Sequence, residues 1–218
     1  MPSSPESDES VSGGDKNRIS EQEMNLLRRA AENGHVEAQW QLGLMYADGD
    51  AIKLDYVQAA AWIKRAAEQG FVRAQSVMGW LFANGLGVHQ NSQEAGRWYL
   101  TAAEQGSAKD QYMAATMYRF GRYGVEKDRT EMLRWYQAAA DQGFAPAQYA
   151  LGKMLVEGRL VPKDPILAFQ WLSLAGVNGS TAAGKHLQQL MRRMSPEQVE
   201  EAKARMLAPS TLSSGTGN

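Results

Sequence analysis

A tryptophan recurs along the chain at an almost constant interval: Trp62, Trp98, Trp135 and Trp171 follow one another after 36, 37 and 36 residues. A repeat of this length is typical of solenoids, in which one pair of helices stacks on the next and each unit contacts only its neighbours. The sequence therefore predicts an all-α solenoid of stacked helix-turn-helix repeats rather than a domain with one central core. It also indicates that functional residues lie where the repeats differ.

The residues between the tryptophans repeat in register and define four units, at about residues 36–71, 72–107, 108–144 and 145–180. In each unit a first helix, helix A, carries a small residue in its middle and ends at a glycine, whose freedom to adopt positive φ suits a helix end. An acidic or amide residue then precedes the second helix, helix B, as an N-cap. The small residues are Gly43, Gly79, Ala115 and Gly152, the terminal glycines are Gly49, Gly85, Gly121 and Gly158, and the N-caps are Asp55, Asn91, Asp128 and Asp164.

The two ends of the chain differ from the repeats. Residues 1–18 and 209–218 are predicted to be disordered, because they offer too little apolar surface to offset the loss of chain entropy. Residues 19–35 are expected to form a lone helix B that caps the first repeat. Residues 181–208 are expected to form a degenerate repeat helix and a C-terminal capping helix, which begins after Ser195 with Pro196 at its first position.

Charge and composition argue against several classes of protein. The chain has 23 lysine and arginine residues against 24 aspartate and glutamate residues, so it lacks the positive field that nonspecific nucleic-acid binding requires. It contains no cysteine, and therefore neither a disulfide nor a thiolate zinc site is expected. No apolar run of about 18 residues and no signal peptide is recognisable, so we expect a cytoplasmic protein without membrane insertion.

Residues suited to catalysis do not come together in the sequence. No serine lies in a Gly-x-Ser-x-Gly or Ser-x-x-Lys setting. The three histidines, His35, His89 and His186, fall in distant repeats and are not expected to share a metal. The loop Gly85-Leu86-Gly87 lacks the third glycine of a dinucleotide-binding loop. We therefore predict no catalytic, cofactor-binding or metal-binding residue, and no enzyme.

The combined columns resemble the Sel1-like repeat (SLR) family, a relative of the tetratricopeptide repeats, over roughly residues 21–190. The loop Gly85-Leu86-Gly87-Val88 matches the family's Gly-x-Gly-Val pattern in full, whereas residues 121–125 carry one extra residue. The resemblance implies a right-handed α/α superhelix whose A helices line a concave face. It also implies a role as an adaptor for protein complexes, which members commonly fill in bacterial signalling, envelope or host-interaction systems.

Two tryptophans, Trp40 and Trp80, lie outside the repeating column and fall in helix A. By resemblance to tetratricopeptide repeats, their positions face the concave groove, as does that of Phe120 one turn further on. The predicted partner-binding residues are Trp40, Leu44, Arg73, Trp80, Asn84, Lys109, Tyr112, Arg119, Tyr149 and Lys153. Trp, Tyr and Arg dominate interface hot spots. The alternative is that these rings only pack between neighbouring A helices. Replacement of Trp98 in the column by alanine is expected to destabilise the protein by roughly 3–5 kcal/mol, as for a large buried aromatic.

These observations favour a non-catalytic adaptor that holds a peptide segment or a helix of a partner protein in the groove. A second hypothesis is a dedicated regulator or inhibitor of one partner enzyme, of the signalling or toxin type. A third, suggested only by envelope-linked relatives, is a cell-wall hydrolase. The predicted partner is a protein, and no nucleic acid, membrane or metal is expected to bind.

Overall fold

The structure, a computed structural model, describes residues 19–49 and 51–207. Eleven helices and no strand occupy this part of the chain. In order they are α1 (Glu21–Glu32), α2 (Val36–Asp48), α3 (Tyr56–Glu68), α4 (Val72–Asn84), α5 (Ser92–Glu104), α6 (Ala108–Phe120), α7 (Arg129–Asp141), α8 (Ala145–Glu157), α9 (Pro165–Val177), α10 (Thr181–Met191) and α11 (Pro196–Leu207). The segments predicted to be disordered lie outside the described residues.

The helices pack in the order in which they occur. Each helix from α1 to α9 contacts the next along the chain, and α11 folds back onto α9. The A helices of the four units are α2, α4, α6 and α8, the B helices are α3, α5, α7 and α9, and α1 and α10 extend the series at its two ends. Contacts concentrated between neighbours are typical of a solenoid. The predicted all-α solenoid of helix-turn-helix repeats is confirmed.

The helix ends follow the predicted caps. In each B helix from α3 to α9, the side chain of the preceding residue accepts a hydrogen bond from a backbone N–H of the first turn. These N-caps are Asp55, Asn91, Asp128 and Asp164. The A helices end at glycines with φ between 66° and 75°, namely Gly49, Gly85, Gly121 and Gly158. Each cap satisfies N–H groups that the first turn of a helix leaves unpaired, so these polar residues serve the fold.

A buried glutamine in each A helix from α2 to α8 connects three consecutive helices. The amide of Gln75 donates to the Ala67 carbonyl of α3 at 3.2 Å, and its oxygen accepts from the amide of Gln105, at the end of α5, at 2.8 Å. The equivalent bonds are made by Gln39, Gln111 and Gln148. Both ends of each amide are thus satisfied inside the stack, where an unpaired polar group would be destabilising. This recurring glutamine, overlooked in the sequence, links each repeat to the next.

The tryptophan column is less uniformly buried than its regular spacing suggests. Trp135 and Trp171 are buried, whereas Trp62 and Trp98 are partly exposed, so the expectation that Trp98 is a buried aromatic is wrong. The residue after each tryptophan lies deeper, because it faces the small residue of helix A. A Cβ at Gly79, for example, would lie 2.8 Å from the ring of Tyr99. Burial, more than the neighbouring Tyr123 and Asp110, raises the pKa of the Tyr99 hydroxyl to about 12.

Candidate partner-binding face

Helix α4 leaves a stripe of residues exposed along one side. Arg73, Trp80 and Asn84 are separated by two turns and then one turn, and all three are accessible to solvent. Trp80 is 47% exposed. The side chain of Asn84 donates to the backbone carbonyl of Trp80 at 2.8 Å, which holds an amide group beside the indole. Three of the predicted partner-binding residues therefore lie together.

The equivalent positions on α6 are Lys109, Thr116 and Phe120, and the partly exposed Arg119 precedes Phe120. Phe120 is 50% exposed, and the guanidinium carbons of Arg119 and Arg122 lie 5.2 and 5.3 Å from its ring centroid. A cation within about 6 Å of an aromatic ring is attracted by the ring's quadrupole. Sequence reasoning placed Phe120 on this side without choosing it as a site residue. It missed Arg122, which lies beyond the helix end in the loop with the extra residue.

A polar junction joins α4 to α6. The Ser76 hydroxyl donates to the carboxylate of Asp110 at 2.5 Å, and the hydroxyl of Ser107, the N-cap of α6, donates to the same oxygen. Asp110 is only 2% exposed and occupies a position where the other units carry alanine. The junction therefore holds α6 beside α4. We define this α4–α6 face as Arg73, Trp80, Asn84, Lys109, Arg119, Phe120 and Arg122.

Three of the predicted aromatic residues are partly buried and pack within the stack. The ring centroid of Trp40 lies 5.6 Å from that of Phe71, and the ring centroid of Tyr112 lies 5.5 Å from that of Phe144. The hydroxyl of Tyr149 lies 3.3 Å from an imidazole nitrogen of α10. The contacts of Trp40 and Tyr112 join one A helix to the beginning of the next A helix. The contact of Tyr149 joins α8 to the side of α10. These rings therefore make the packing contacts that the alternative interpretation expects of them.

The remaining two predicted residues lie on other A helices. Leu44 of α2 is partly buried, and Lys153 of α8 forms an ion pair with Glu157 at 3.7 Å. The structure thus brings five of the ten predicted residues together on the α4–α6 face and leaves the other five outside it.

Arg119 has a second contact, on the inner side of the face. It lies beside the hydroxyl of Tyr136, a fully buried residue of α7. Burial raises the pKa of Tyr136, and the nearby guanidinium of Arg119 partly offsets that rise. Arg119 is therefore involved in the fold more directly than the exposed cations Arg73, Lys109 and Arg122.

The chemical groups on the α4–α6 face are rings, an amide and cations, which are typical of binding surfaces. Within residues 19–49 and 51–207, no three or more His, Cys, Asp and Glu side chains are grouped so that they could hold a metal ion. In the same ranges, no helix combines the length and the apolar character needed to cross a bilayer. His35 and His89 are exposed at helix ends and loops, far apart in sequence.

Comparison with known proteins gives the same family by sequence and by structure. The Sel1 repeat family model matches residues 24–35, 36–71, 72–107, 108–144 and 145–179. A protective antigen present in uropathogenic Escherichia coli strains, which displays an SLR fold, is similar with a TM-score of 0.73 and 35% identity, over 78% of this chain and 36% of that chain. A Sel1 repeat protein from Oxalobacter formigenes has a TM-score of 0.71 and 33% identity, over 77% of this chain and 68% of that chain. No curated protein matches the sequence.

This chain thus spans 36% of the length of the Escherichia coli protein and most of the length of the Oxalobacter formigenes protein. Sel1 repeat proteins are generally protein–protein interaction modules and generally lack catalytic activity. The family match runs from residue 24 to residue 179 without a gap, well over half of the chain. The chain belongs to the Sel1 repeat family.

Proposed function

We propose that this protein is a non-catalytic adaptor that holds a segment of a partner protein against the α4–α6 face. The observation that carries the proposal is the exposure of Trp80 and Phe120, at 47% and 50%, on consecutive A helices. Unlike Trp40, Tyr112 and Tyr149, neither stacks on another aromatic ring within the described part of the chain. A partner that covers the two rings removes their apolar surface from water, which is favourable by about 25 cal/mol for each Å² that is buried.

The groups around the two rings suit a protein partner. Asn84 presents an amide beside Trp80, and Arg119 and Arg122 flank Phe120. Trp and Arg are enriched among the residues that dominate binding energy at interfaces, provided that surrounding contacts exclude water. A peptide or helix that contacts the A helices of both neighbouring repeats would cover both rings at once.

The proposed binding surface is smaller than the predicted groove, because it comprises only residues of α4 and α6 together with Arg122. Trp40, Tyr112 and Tyr149 pack against other helices, so their removal would disturb the fold as well as any partner contact. Removal of Trp80 and Phe120 is expected to destabilise the protein less than removal of a buried ring, because about half of each side chain is already in water. Substitution of these two residues therefore tests partner binding separately from folding.

The test is capture of partners from cells of the source organism with the wild-type protein and with the variant Trp80→Ala, Phe120→Ala. A captured protein is purified and its Kd for each form is measured. We expect the double variant to bind at least about 30-fold more weakly, since a hot-spot residue contributes 2 kcal/mol or more. The double variant should remain folded, with a helical circular dichroism spectrum like that of the wild type.

The matched control is Val57→Ala, which removes an exposed apolar side chain from a B helix, α3. This variant should capture and bind the partner as the wild type does. Equal affinity of the wild type and the double variant for the purified partner would contradict the proposal.

A further inference from the structure

Charge is unevenly distributed over the A helices. Helix α2 carries two acidic residues and no basic residue, and α8 pairs its single lysine with its own glutamate. Helix α4 carries Arg73 and no acidic residue. Helix α6 carries Lys109 and Arg119, and its only acidic side chain, Asp110, is buried and engaged by two serines. The α4–α6 face is therefore cationic although the whole chain has a net charge of -1.

The cations of this face, like most lysines and arginines of the described residues, are not held in ion pairs. Six ion pairs join side chains three or four residues apart elsewhere in the described residues. Arg73, Lys109, Arg119 and Arg122 take part in none of them. Arg73 and Lys109 are also the second residues of their helices, where the macrodipole disfavours a positive charge. Local helix stability therefore does not account for Arg73 and Lys109.

From these observations, and on the basis of the function proposed above, we infer that the partner segment is acidic. Its carboxylates bind the unpaired cations, and an apolar side chain covers Trp80. Arginine suits this role because its planar guanidinium can donate two parallel hydrogen bonds to one carboxylate. The mixed arrangement of exposed rings and cations calls for a partner that combines acidic and apolar residues.

The positions of the cations set the length of the segment. Arg73 and Lys109 lie at the beginning of α4 and α6, whereas Arg119 and Arg122 lie at the end of α6 and just beyond it. The ten residues from Lys109 to Arg119 span about 15 Å at the rise of an α-helix. An extended peptide covers that distance in roughly five residues. We therefore expect carboxylates about four to five residues apart, with an apolar residue between them.

The experiment selects peptides from an unbiased displayed library on the full-length chain. A selected peptide is synthesised with a fluorescent label, together with an analogue in which Gln and Asn replace Glu and Asp. Fluorescence anisotropy gives their Kd values for three forms of the protein: the wild type, Trp80→Ala, and the triple variant Arg73→Gln, Lys109→Gln, Arg122→Gln. The matched control is Lys64→Gln, Arg97→Gln, Lys203→Gln, which removes the same charge from exposed, paired cations outside the face.

We expect the selected peptides to be enriched in Asp and Glu relative to the library. The triple variant and the neutral peptide analogue should each weaken binding by roughly tenfold, because each exposed pair contributes a factor of a few. The control triple should bind as the wild type does, and the affinity should fall as salt is raised, because salt screens exposed charges.

Other results overturn the inference in distinguishable ways. Peptides without acidic enrichment that need Trp80 but bind the triple variant normally would refute the acidic partner and leave the proposed function standing. Peptides indifferent to both Trp80→Ala and the triple variant, or the absence of any enriched peptide, would refute both. Self-association in sedimentation experiments that the triple variant abolishes would identify a second copy, with its acidic α2, as the occupant.

Discussion

Replacement of Trp135 by alanine is expected to lower the free energy of unfolding by about 3–5 kcal/mol. Trp135 is 4% exposed and belongs to an apolar cluster that draws residues from α5 to α9. Its loss leaves a cavity between repeats, which the surrounding helices can fill only in part. The guanidinium of Arg134, 4.0 Å from the ring centroid, loses its aromatic contact as well. Urea unfolding followed by far-ultraviolet circular dichroism measures the change.

The control is Trp98→Ala, at the equivalent position one repeat earlier. Because Trp98 is partly exposed, the loss of unfolding free energy should be no more than about half as large. Equal losses for the two substitutions would contradict the difference in burial that the structure describes.

Replacement of Gly87 by alanine is expected to lower the free energy of unfolding by about 2–4 kcal/mol, through backbone strain and close contact together. Gly87 has φ +69°, and a Cβ there would lie 1.8 Å from the backbone carbonyl oxygen of Tyr56. Because the obstacle is backbone rather than a flexible side chain, the loop between α4 and α5 would have to move away from the start of α3. Urea unfolding provides the measurement here too.

Gly184→Ala serves as the matched control. Gly184 lies within α10, and no atom is found within 4 Å of a Cβ built there. Alanine should therefore stabilise the protein by about 0.5–1 kcal/mol, as in an open helix interior. A Gly87→Ala protein as stable as the wild type would show that the loop does not pack against α3 as described.

The sequence predicted the helices and their ends well because the relevant interactions are local. An acidic N-cap such as Asp128 and a terminal glycine such as Gly121 act within one turn of the helix that they begin or end. The spacing of the tryptophans then determined the stacking of the units. The glutamine column was equally regular, but its hydrogen bonds join residues 8 and 30 or 31 positions apart and cannot be identified from one helix alone.

The exposure of individual rings could not be predicted in the same way. Trp40 and Trp80 are both helix A residues outside the column, yet Trp40 is covered by Phe71, the N-cap of the next A helix. In the next unit, the positions equivalent to Trp40 and Phe71 are occupied by Ser76 and Ser107. In the unit after that, they are occupied by Tyr112 and Phe144. A ring in one helix therefore packs where the next helix begins with another ring. The pairing at a separation of 31 or 32 residues is a signal that the sequence contains.

The loop with one extra residue illustrates a second limit of sequence reasoning. Tyr123 adopts φ 57°, and its ring packs on that of Tyr99 with centroids 5.8 Å apart. Its carbonyl oxygen would lie 2.1 Å from a Cβ at Gly96 in α5. The extra residue is thus accommodated by a glycine in α5 of the preceding repeat. Such compensation between distant residues is visible only in three dimensions.

A partner protein that covers the exposed rings of the α4–α6 face would lie within reach of position 80. The most direct measurement is photo-crosslinking with p-benzoylphenylalanine placed at position 80 and, separately, at position 57 of α3, both exposed. We predict a cross-link to the captured partner from position 80 and none from position 57. A cross-link from position 57 with none from position 80 would contradict this prediction.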